Sequence, residues 1–463
     1  MKRILTIAIV AIMALGVNAQ NQGSITPAML QNFKESLKEN PKFEALQNAV
    51  SNNSISKLAL NRSNQSNLDT HFSDKVNTKG ITDQESSGRC WLFTGLNVLR
   101  AKGIEKKNLK AFELSQNYSF FFDQLEKSNL FLEGIIENID KPMSDKKVEW
   151  LFKHSLNDGG QWTGVVDIIE KYGVVPTDAM TETNSSNNTR WMSKLIKRKL
   201  KEDALALRKM NKKGKSIKKI RKEKEIMLSE VYKILAINLG NPPTEFTWRY
   251  EDADGNLSEE KTYTPHSFYK EFIGVDLNDY VMFMNDPSRP YEKVYEIDYD
   301  RHTYDGHNWK YINLENKVIK EFAIASIKGN DAMYFSCDVG KQLDRNRGVL
   351  SINNYNYGAL LDVNFGMNKT ERIQTFASGS SHGMTLVGVD LDKDGDVKKW
   401  LIENSWGASN GFKGHLIMTD KWYDEYMFRV VINKKYISEE VLKILDQKPV
   451  FLPPWDPMFA PEK

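Results

Sequence analysis

The chain has 463 residues, with 64 lysines and arginines against 61 aspartates and glutamates, and 40% of it is apolar. An 11% aromatic content and the lack of any long low-complexity tract argue against disorder and leave ample material for a core. At the rough rule of ~150 residues per domain this length corresponds to about three domains, and the near balance of charge makes any basic character local.

The N-terminus starts Met1-Lys2-Arg3, continues in an apolar run from Ile4 to Val17 and closes in Val17-Asn18-Ala19. This reads as a signal peptide over residues 1–19, cut before Gln20. The run is short of the ~20 residues that span a bilayer, and no later segment reaches that length, so no transmembrane segment is expected. No cysteine follows the cleavage site, so a lipid anchor is not indicated. The expectation is export, to the periplasm or beyond. Residues 20–70 are polar and rich in Asn, Ser and Gln, with helical pieces between Met29 and Ala49; on the residues alone they fit a flexible leader.

Within residues 71–180, Gln84-Glu85-Ser86-Ser87-Gly88-Arg89-Cys90-Trp91 runs straight into Leu92-Phe93-Thr94-Gly95-Leu96-Asn97-Val98-Leu99. Leu92, Leu96 and Leu99 recur at helical spacing, and Gly88 permits a tight approach before the first turn. The stretch predicts a turn that delivers one cysteine to the start of a helix. There the positive end of the helix dipole favours thiolate, the nucleophile of cysteine-dependent acyl transfer. Gln84 is spaced to aim its side-chain amide at the oxygen that turns negative when the thiolate attacks a carbonyl. The same segment also fits a buried structural cysteine in a core helix. Val148 to Leu156 and Val165 to Tyr172 read as further amphipathic helices.

Residues 181–330 read as helices first, then strands at Tyr280–Asn285 and Tyr295–Tyr299. Between Arg190 and Lys224 there are sixteen lysines and arginines against three acidic residues. Such a run serves either as a nucleic-acid or anionic-surface patch or as the solvated face of a helix pair. Trp191 is the only aromatic there to stack on a base, which favours the solvated face. His302 and His307 have neither the helical spacing nor nearby cysteines for a zinc site.

Residues 331–436 are strand-rich. Cys337 ends the apolar run Met333-Tyr334-Phe335-Ser336-Cys337 and reads as a small buried hydrophobe. Ser381 to Val389 is strand-like with His382 at its mouth, and Lys399 to Gly407 is a second strand carrying Asn404 beside Trp406. Asp392-Lys393-Asp394-Gly395-Asp396 between them has hairpin chemistry, which predicts antiparallel neighbours. Asn404 then accepts from one imidazole nitrogen of His382 while the other faces Cys90. Asp390 to Gly395 imitates half of a calcium loop, but the position that needs a glutamate is Leu401, so it reads as a turn. Residues 437–463 are a short helix from about Ser438 and a proline-rich tail. Phe451, Leu452, Trp455, Met458 and Phe459 make that tail too apolar to be freely solvated.

At these residues the sequence resembles the papain-like cysteine peptidases, and within them the bleomycin hydrolase branch, also called aminopeptidase C. Ser87-Gly88-Arg89-Cys90-Trp91 stands where the papain signature has Cys-Gly-Ser-Cys-Trp. The likeness continues through Phe112 to Tyr118, Asp158 to Trp162, Glu170 to Pro176, Cys337 to Lys341 and the tail Leu452 to Met458. The resemblance implies that Cys90 is the nucleophile and His382 the general base and then acid. It makes Asn404 orient His382, with Trp406 shielding that hydrogen bond and Trp91 beside the nucleophile. Gln84 and the Cys90 backbone N–H would form the oxyanion hole. Gly159 and Gly160 match paired glycines that hydrogen-bond substrate backbone, and the terminal carboxylate, on Lys463 or on Glu462 if one residue is trimmed, would hold the substrate's α-amino group. Cys90 and His382 are about twice as far apart as the ~130–150 residues of papain-type enzymes, so an insertion separates them.

The expected fold is α+β: a papain-like two-lobe peptidase with a large, mainly helical insertion over 181–330 between nucleophile and histidine. The family implies a surface arm over 20–70 and a homohexamer with sites facing an inner cavity. The expected activity is an exported cysteine aminopeptidase working on peptides through a thioester. The alternatives are an endopeptidase or amide hydrolase with the same triad, or a nucleic-acid-binding protein using residues 190–224. No phosphate-cradling loop or dinucleotide fingerprint is present, so no metal and no cofactor are expected. Both cysteines are expected free, since Cys90 must react.

Overall fold

In the computed structural model, residues 23–38, 42–66 and 68–458 are described. The expected signal peptide, Phe459, Glu462 and Lys463 lie outside them. Cys90–Lys107 (α1) is helical, and its side chains are buried on every side from Cys90 to Ala101. It is therefore a central helix rather than an amphipathic one. Asn108 closes it in the left-handed conformation (φ 48°), and Lys106 and Lys107 complement its C-terminal dipole. Gln116–Glu137 (α2), Lys146–Lys153 (α3) and Trp162–Tyr172 (α4) complete the helical layer.

Two boundaries differ from the sequence reading, for local reasons. The helix expected over Val148–Leu156 starts earlier because the Asp145 carboxylate caps the Lys147 and Val148 N–H groups. It ends at Lys153, where His154 leaves helical dihedrals. The helix expected from Val165 starts at Trp162 and stops at Gly173 (φ 69°), where a Cβ would come within 2.5 Å of the Pro265 carbonyl carbon.

Arg190–Lys212 (α5) and Ile217–Leu239 (α6) pack on each other and on α2, burying Met192, Ile196, Leu200 and Leu207 of α5. A separate strand pair, Phe246–Trp248 with Lys261–Tyr263, and the helix Pro265–Phe272 come next, and then three strands of the main sheet, Tyr280–Met284 (β1), Lys293–Ile297 (β2) and Lys310–Asn313 (β3). The second ends before the expected Tyr299, which sits at φ 64° and cannot continue a strand. Asn316–Lys328 (α7) leads to Met333–Cys337 (β4), His382–Leu391 (β5), Val397–Glu403 (β6), His415–Thr419 (β7), Met427–Asn433 (β8) and Val450–Leu452 (β9).

These strands belong to one 12-stranded sheet in the order β9-β2-β3-β1-β8-β4-β5-β6-β7, continued by Val349–Leu350 and Leu343–Asp344; Asp74–Lys75 pairs with β5. β5 and β6 are antiparallel neighbours, as the hairpin chemistry predicts. The Asp392 carboxylate accepts the N–H groups of Asp394 and Asp396 at 2.9 Å each, so the calcium-like segment serves as a turn. α1 packs against β5 and β4. One apolar cluster gathers helical residues such as Leu96, Phe120 and Val165, and a second gathers Phe335, Leu386 and Trp400 of the strands.

A second compact unit comprises the described residues up to Asn61 together with Tyr355–Asn364. Its described helices include Pro27–Lys38, Phe43–Asn52 and Ile55–Ala59, and the Asn356 N–H donates to the Ala59 carbonyl at 2.8 Å. Among the described residues, no helix is long and apolar enough to cross a membrane.

Candidate active site

Cys90 is the first residue of α1, and the first turn carries no acidic side chain to oppose the helix dipole. Arg89, just before it, is fully buried. Its Nε donates to Ser87 Oγ at 3.0 Å, its Nη2 lies 2.9 Å from Glu182, and its guanidinium sits over Phe93 and Phe120. Arg89 thus fixes the turn that leads into Cys90. Neither Cys90 nor Cys337 forms a disulfide, and Cys337 is buried in β4 directly opposite His382.

His382 opens β5, and Asn404 follows the last residue of β6. The antiparallel pairing brings His382 Nε2 to 2.8 Å from Asn404 Oδ1. An amide oxygen only accepts, so Nε2 carries the proton and Nδ1 keeps a free lone pair, the state of a general base. The Ser405 N–H also donates to Asn404 Oδ1 at 2.8 Å, which fixes the amide orientation. The Trp406 indole covers the imidazole, with centroids 4.9 Å apart and planes 29° apart, and the Arg345 guanidinium lies 4.9 Å from the indole. His382 is 2% exposed. Burial pushes its pKa down to about 4, the Asn404 hydrogen bond opposing and Arg345 assisting.

Gln84 is held on three sides. Its backbone N–H donates to the Ser405 carbonyl at 2.9 Å, its Oε1 accepts from Ser405 Oγ at 2.7 Å, and its Nε2 donates to the Ser87 carbonyl at 2.8 Å. The second hydrogen on Nε2 is left for another acceptor. Glu85 beside it has φ 51°, unusual for a residue with a side chain. Gly407, at φ 78°, lets the Trp406 segment pass Asp83, whose Oδ2 would lie 2.5 Å from a Cβ there. The tripeptide Asn404-Ser405-Trp406 thus orients the imidazole with its first residue, clamps Gln84 with its second and covers the imidazole with its third.

Gly159 and Gly160 are braced from behind by Trp91 and by groups that the sequence reading left without a role. Lys127 Nζ donates to the Gly159 carbonyl at 2.6 Å and the Asn157 carbonyl at 3.2 Å, and Trp91 Nε1 donates to the Asp158 carbonyl at 2.7 Å. Lys127 pairs with Asp123 at 2.9 Å, and the other Asp123 oxygen meets His302 Nδ1 at 2.5 Å. Burial drives the His302 pKa down, assisted by Lys127 and opposed by Asp123, so the ring is neutral and donates from Nδ1. A Cβ on Gly160 would fall 2.3 Å from His302 Cε1, so only glycine fits. His302 is a backing residue here. The i, i+4 spacing of Asp123 and Lys127 in α2 was visible in the sequence, but their meeting with His302 and Gly159 was not.

A cavity of about 410 Å³ adjoins the glycine pair, walled by Gly159, Gly160 and Trp150 and, on another side, by the tail from Pro454 to Pro457. The tail reaches it as β9, parallel to β2. Asp456 then pairs with Arg289, Arg429 Nη2 donates to the Met458 carbonyl at 3.0 Å, and Lys146 lies 4.3 Å over Trp455. Met458 is buried, whereas Phe451 stays exposed. Among the described residues, no cluster of three His, Cys, Asp or Glu is placed to hold a metal ion.

A thiol at a helix start and a base on a strand, within an α+β fold, define a papain-like cysteine-type peptidase. The chain belongs to the peptidase C1-like family, whose model matches residues 24–459. Aminopeptidase C of Lactobacillus delbrueckii subsp. lactis is 38% identical over 436 residues, covering 93% of this chain and 97% of the relative. Aminopeptidase C of Streptococcus thermophilus is 39% identical over 421 residues, covering 90% and 95%. The crystal structure of PepW from Lactobacillus rhamnosis HN001 superposes with a TM-score of 0.92 at 39% identity, over 95% of this chain and 99% of that one.

Proposed function

We propose that this chain is an exported aminopeptidase of the bleomycin hydrolase type, releasing N-terminal residues through a thioester. The observation that carries the reading is the tail. Residues Pro454 to Pro457 wall the same cavity as Gly159 and Gly160, so chain beyond the glycine pair meets the enzyme's own C-terminus. A substrate with only one residue before its scissile bond fits such a cleft, and a long upstream segment does not.

In this mechanism the substrate backbone lies along Gly159 and Gly160 as an added strand on the acyl side of the scissile bond. Cys90 Sγ attacks the carbonyl carbon, and the oxygen takes up negative charge towards Gln84 Nε2 and the Cys90 N–H. His382, oriented by Asn404 and covered by Trp406, takes the Cys90 thiol proton at Nδ1 as Sγ attacks and passes it to the leaving amine, whose departure leaves a thioester. Water then attacks with His382 as base, and the thiolate departs. The carboxylate of Lys463 takes the substrate's α-amino group. Export through residues 1–19 and assembly into a homohexamer complete the reading.

Deleting Ala460 to Lys463 tests it, with free and N-acetylated fluorogenic substrates compared on the purified protein. Losing a desolvated charge pair worth ~2–5 kcal/mol lowers aminopeptidase efficiency by roughly 30-fold to several thousand-fold, at ~1.4 kcal/mol per decade. Blocked peptides should become substrates. Full aminopeptidase efficiency in the truncated enzyme, with blocked peptides still refused, sinks the role of the tail. Cleavage of blocked peptides by the intact enzyme favours an endopeptidase.

A further inference from the structure

Arg190, Lys194, Lys197 and Lys201 follow one another at i, i+4, i+7 and i+11 along α5, the spacing of a single stripe. This stripe walls a cavity of about 830 Å³ whose other side is Ser86, Gly88 and the loop from Asn157 to Gly159. Gly88 stands two residues before Cys90, and Gly159 begins the glycine pair. The cavity therefore borders the reacting bond on the acyl side in the mechanism above.

The helix is tied to that loop. Both oxygens of the Asp158 carboxylate accept from α5 and its cap, one from Ser193 Oγ at 2.7 Å and the other from Thr189 Oγ1. The first turns of the stripe are thus held in place beside Gly159. Neighbouring cations are compensated: Arg198 pairs with Glu202 at 3.0 Å, and Lys199 with Asp203 and Glu230 at 2.8 and 2.5 Å. Among the described residues, no carboxylate lies in ion-pair range of Arg190, Lys194, Lys197 or Lys201. Lys194 rests 4.7 Å over Trp191 and is otherwise exposed. Four cations without an ion-pair partner thus line the place where a substrate side chain enters, alongside the hydroxyl-bound Asp158 carboxylate and the Arg198–Glu202 pair.

We infer that this cavity is a subsite for a carboxylate on the substrate's N-terminal residue, so that the enzyme favours peptides starting with Glu or Asp over the isosteric Gln or Asn. The inference rests on the aminopeptidase reading above. Each solvated cation contributes modestly, and three near one carboxylate give a preference of about tenfold at low salt. Raising ionic strength to 1 M, where the screening length is ~3 Å, should shrink it.

The test compares kcat/KM for Glu- and Gln-aminomethylcoumarin with wild type and with Lys194→Gln/Lys197→Gln, two side chains that touch no proposed catalytic group. Wild type should favour the Glu substrate about tenfold. The double variant should bring the ratio within about twofold while leaving the Gln substrate unchanged. Equal use of both substrates by wild type, or an equal loss on both in the variant, overturns the inference. So does a single-stranded oligonucleotide that inhibits wild type but not the variant while the Glu/Gln ratio stays near one; the stripe is then a nucleic-acid surface. If only N-acetylated substrates are cleaved, the aminopeptidase reading fails, and the acetylated Glu/Gln pair still decides this one.

Discussion

Arg100 on the helix that starts at Cys90 donates from Nη2 to Glu403 Oε1 at 2.5 Å, with both side chains buried, and Glu403 is the residue before Asn404. This pair ties the thiol's helix to the strand that orients the imidazole. Removing one partner leaves a buried charge unpaired, so Glu403→Gln or Arg100→Met should destabilise the fold by ~3–5 kcal/mol in denaturant titrations. Replacing both with apolar residues should recover most of that. A single variant within ~1 kcal/mol of wild type would show that the pair does not hold the lobes in register.

Much of the catalytic geometry was legible in the sequence because it depends on local patterns. Leucine spacing put Cys90 on a helix, and turn chemistry made β5 and β6 neighbours, which was enough to bring His382 to Asn404. The supports were not legible, since each is a single polar residue meeting a partner far along the chain. Arg345 reaches Trp406, Lys127 reaches Gly159 and Arg100 reaches Glu403, and no periodicity announces such meetings. The membership of β1 to β3 in the same sheet as β5 was equally hidden. Strand segments show their own alternation but not which neighbour they choose.

The proposed roles order three substitutions. Cys90→Ala should abolish turnover with the fold intact, since the thiol supplies attack rather than packing. Asn404→Ala should leave residual activity, because Asn404 orients and polarises His382 without moving protons. His382→Ala should fall below it. Single-turnover assays on the three variants check the order, and a His382→Ala enzyme faster than Asn404→Ala would contradict it.

The pH dependence follows from burial of His382. Its folded pKa of about 4 lies below the ordinary value of 6.5, so the imidazole stays neutral as pH falls through the slightly acidic range. The acid limb of kcat/KM should therefore fall near pH 4 to 5 rather than 6.5. Stability has the matching sign. The unfolded chain takes up this proton first, so the contribution of His382 is full above about 6.5 and is lost as pH falls towards about 4. Arg345 also disfavours the imidazolium, so Arg345→Gln should move the acid limb to higher pH. A limb that stays put in that variant would remove Arg345 from the account.

Lys127 acts on substrate binding through the glycine pair. Lys127→Met frees the Gly159 carbonyl and leaves Asp123 without its cation, held only by hydrogen bonds from His302 and Gln124, so KM should rise several-fold while kcat changes little. Pairing it with Asp123→Asn removes the stranded charge and should restore stability but not KM. Equal loss of kcat in both variants would point to general unfolding instead.

The last prediction separates a docked tail from a measuring one without deleting residues. Asp456 pairs with Arg289 and also accepts the Met458 N–H at 3.0 Å, so Asp456→Ala removes two anchors of the segment that walls the glycine-pair cavity. Arg289 keeps Asp286 at 3.6 Å as a partner, so no cation is stranded in the core. The tail should become sensitive to limited proteolysis beyond Leu452. Free-amino substrates should lose about tenfold or more in kcat/KM, while N-acetylated peptides gain measurable turnover as the cavity opens. If proteolysis shows the tail released and neither substrate class responds, the tail only packs against the cavity and does not set where the enzyme cuts.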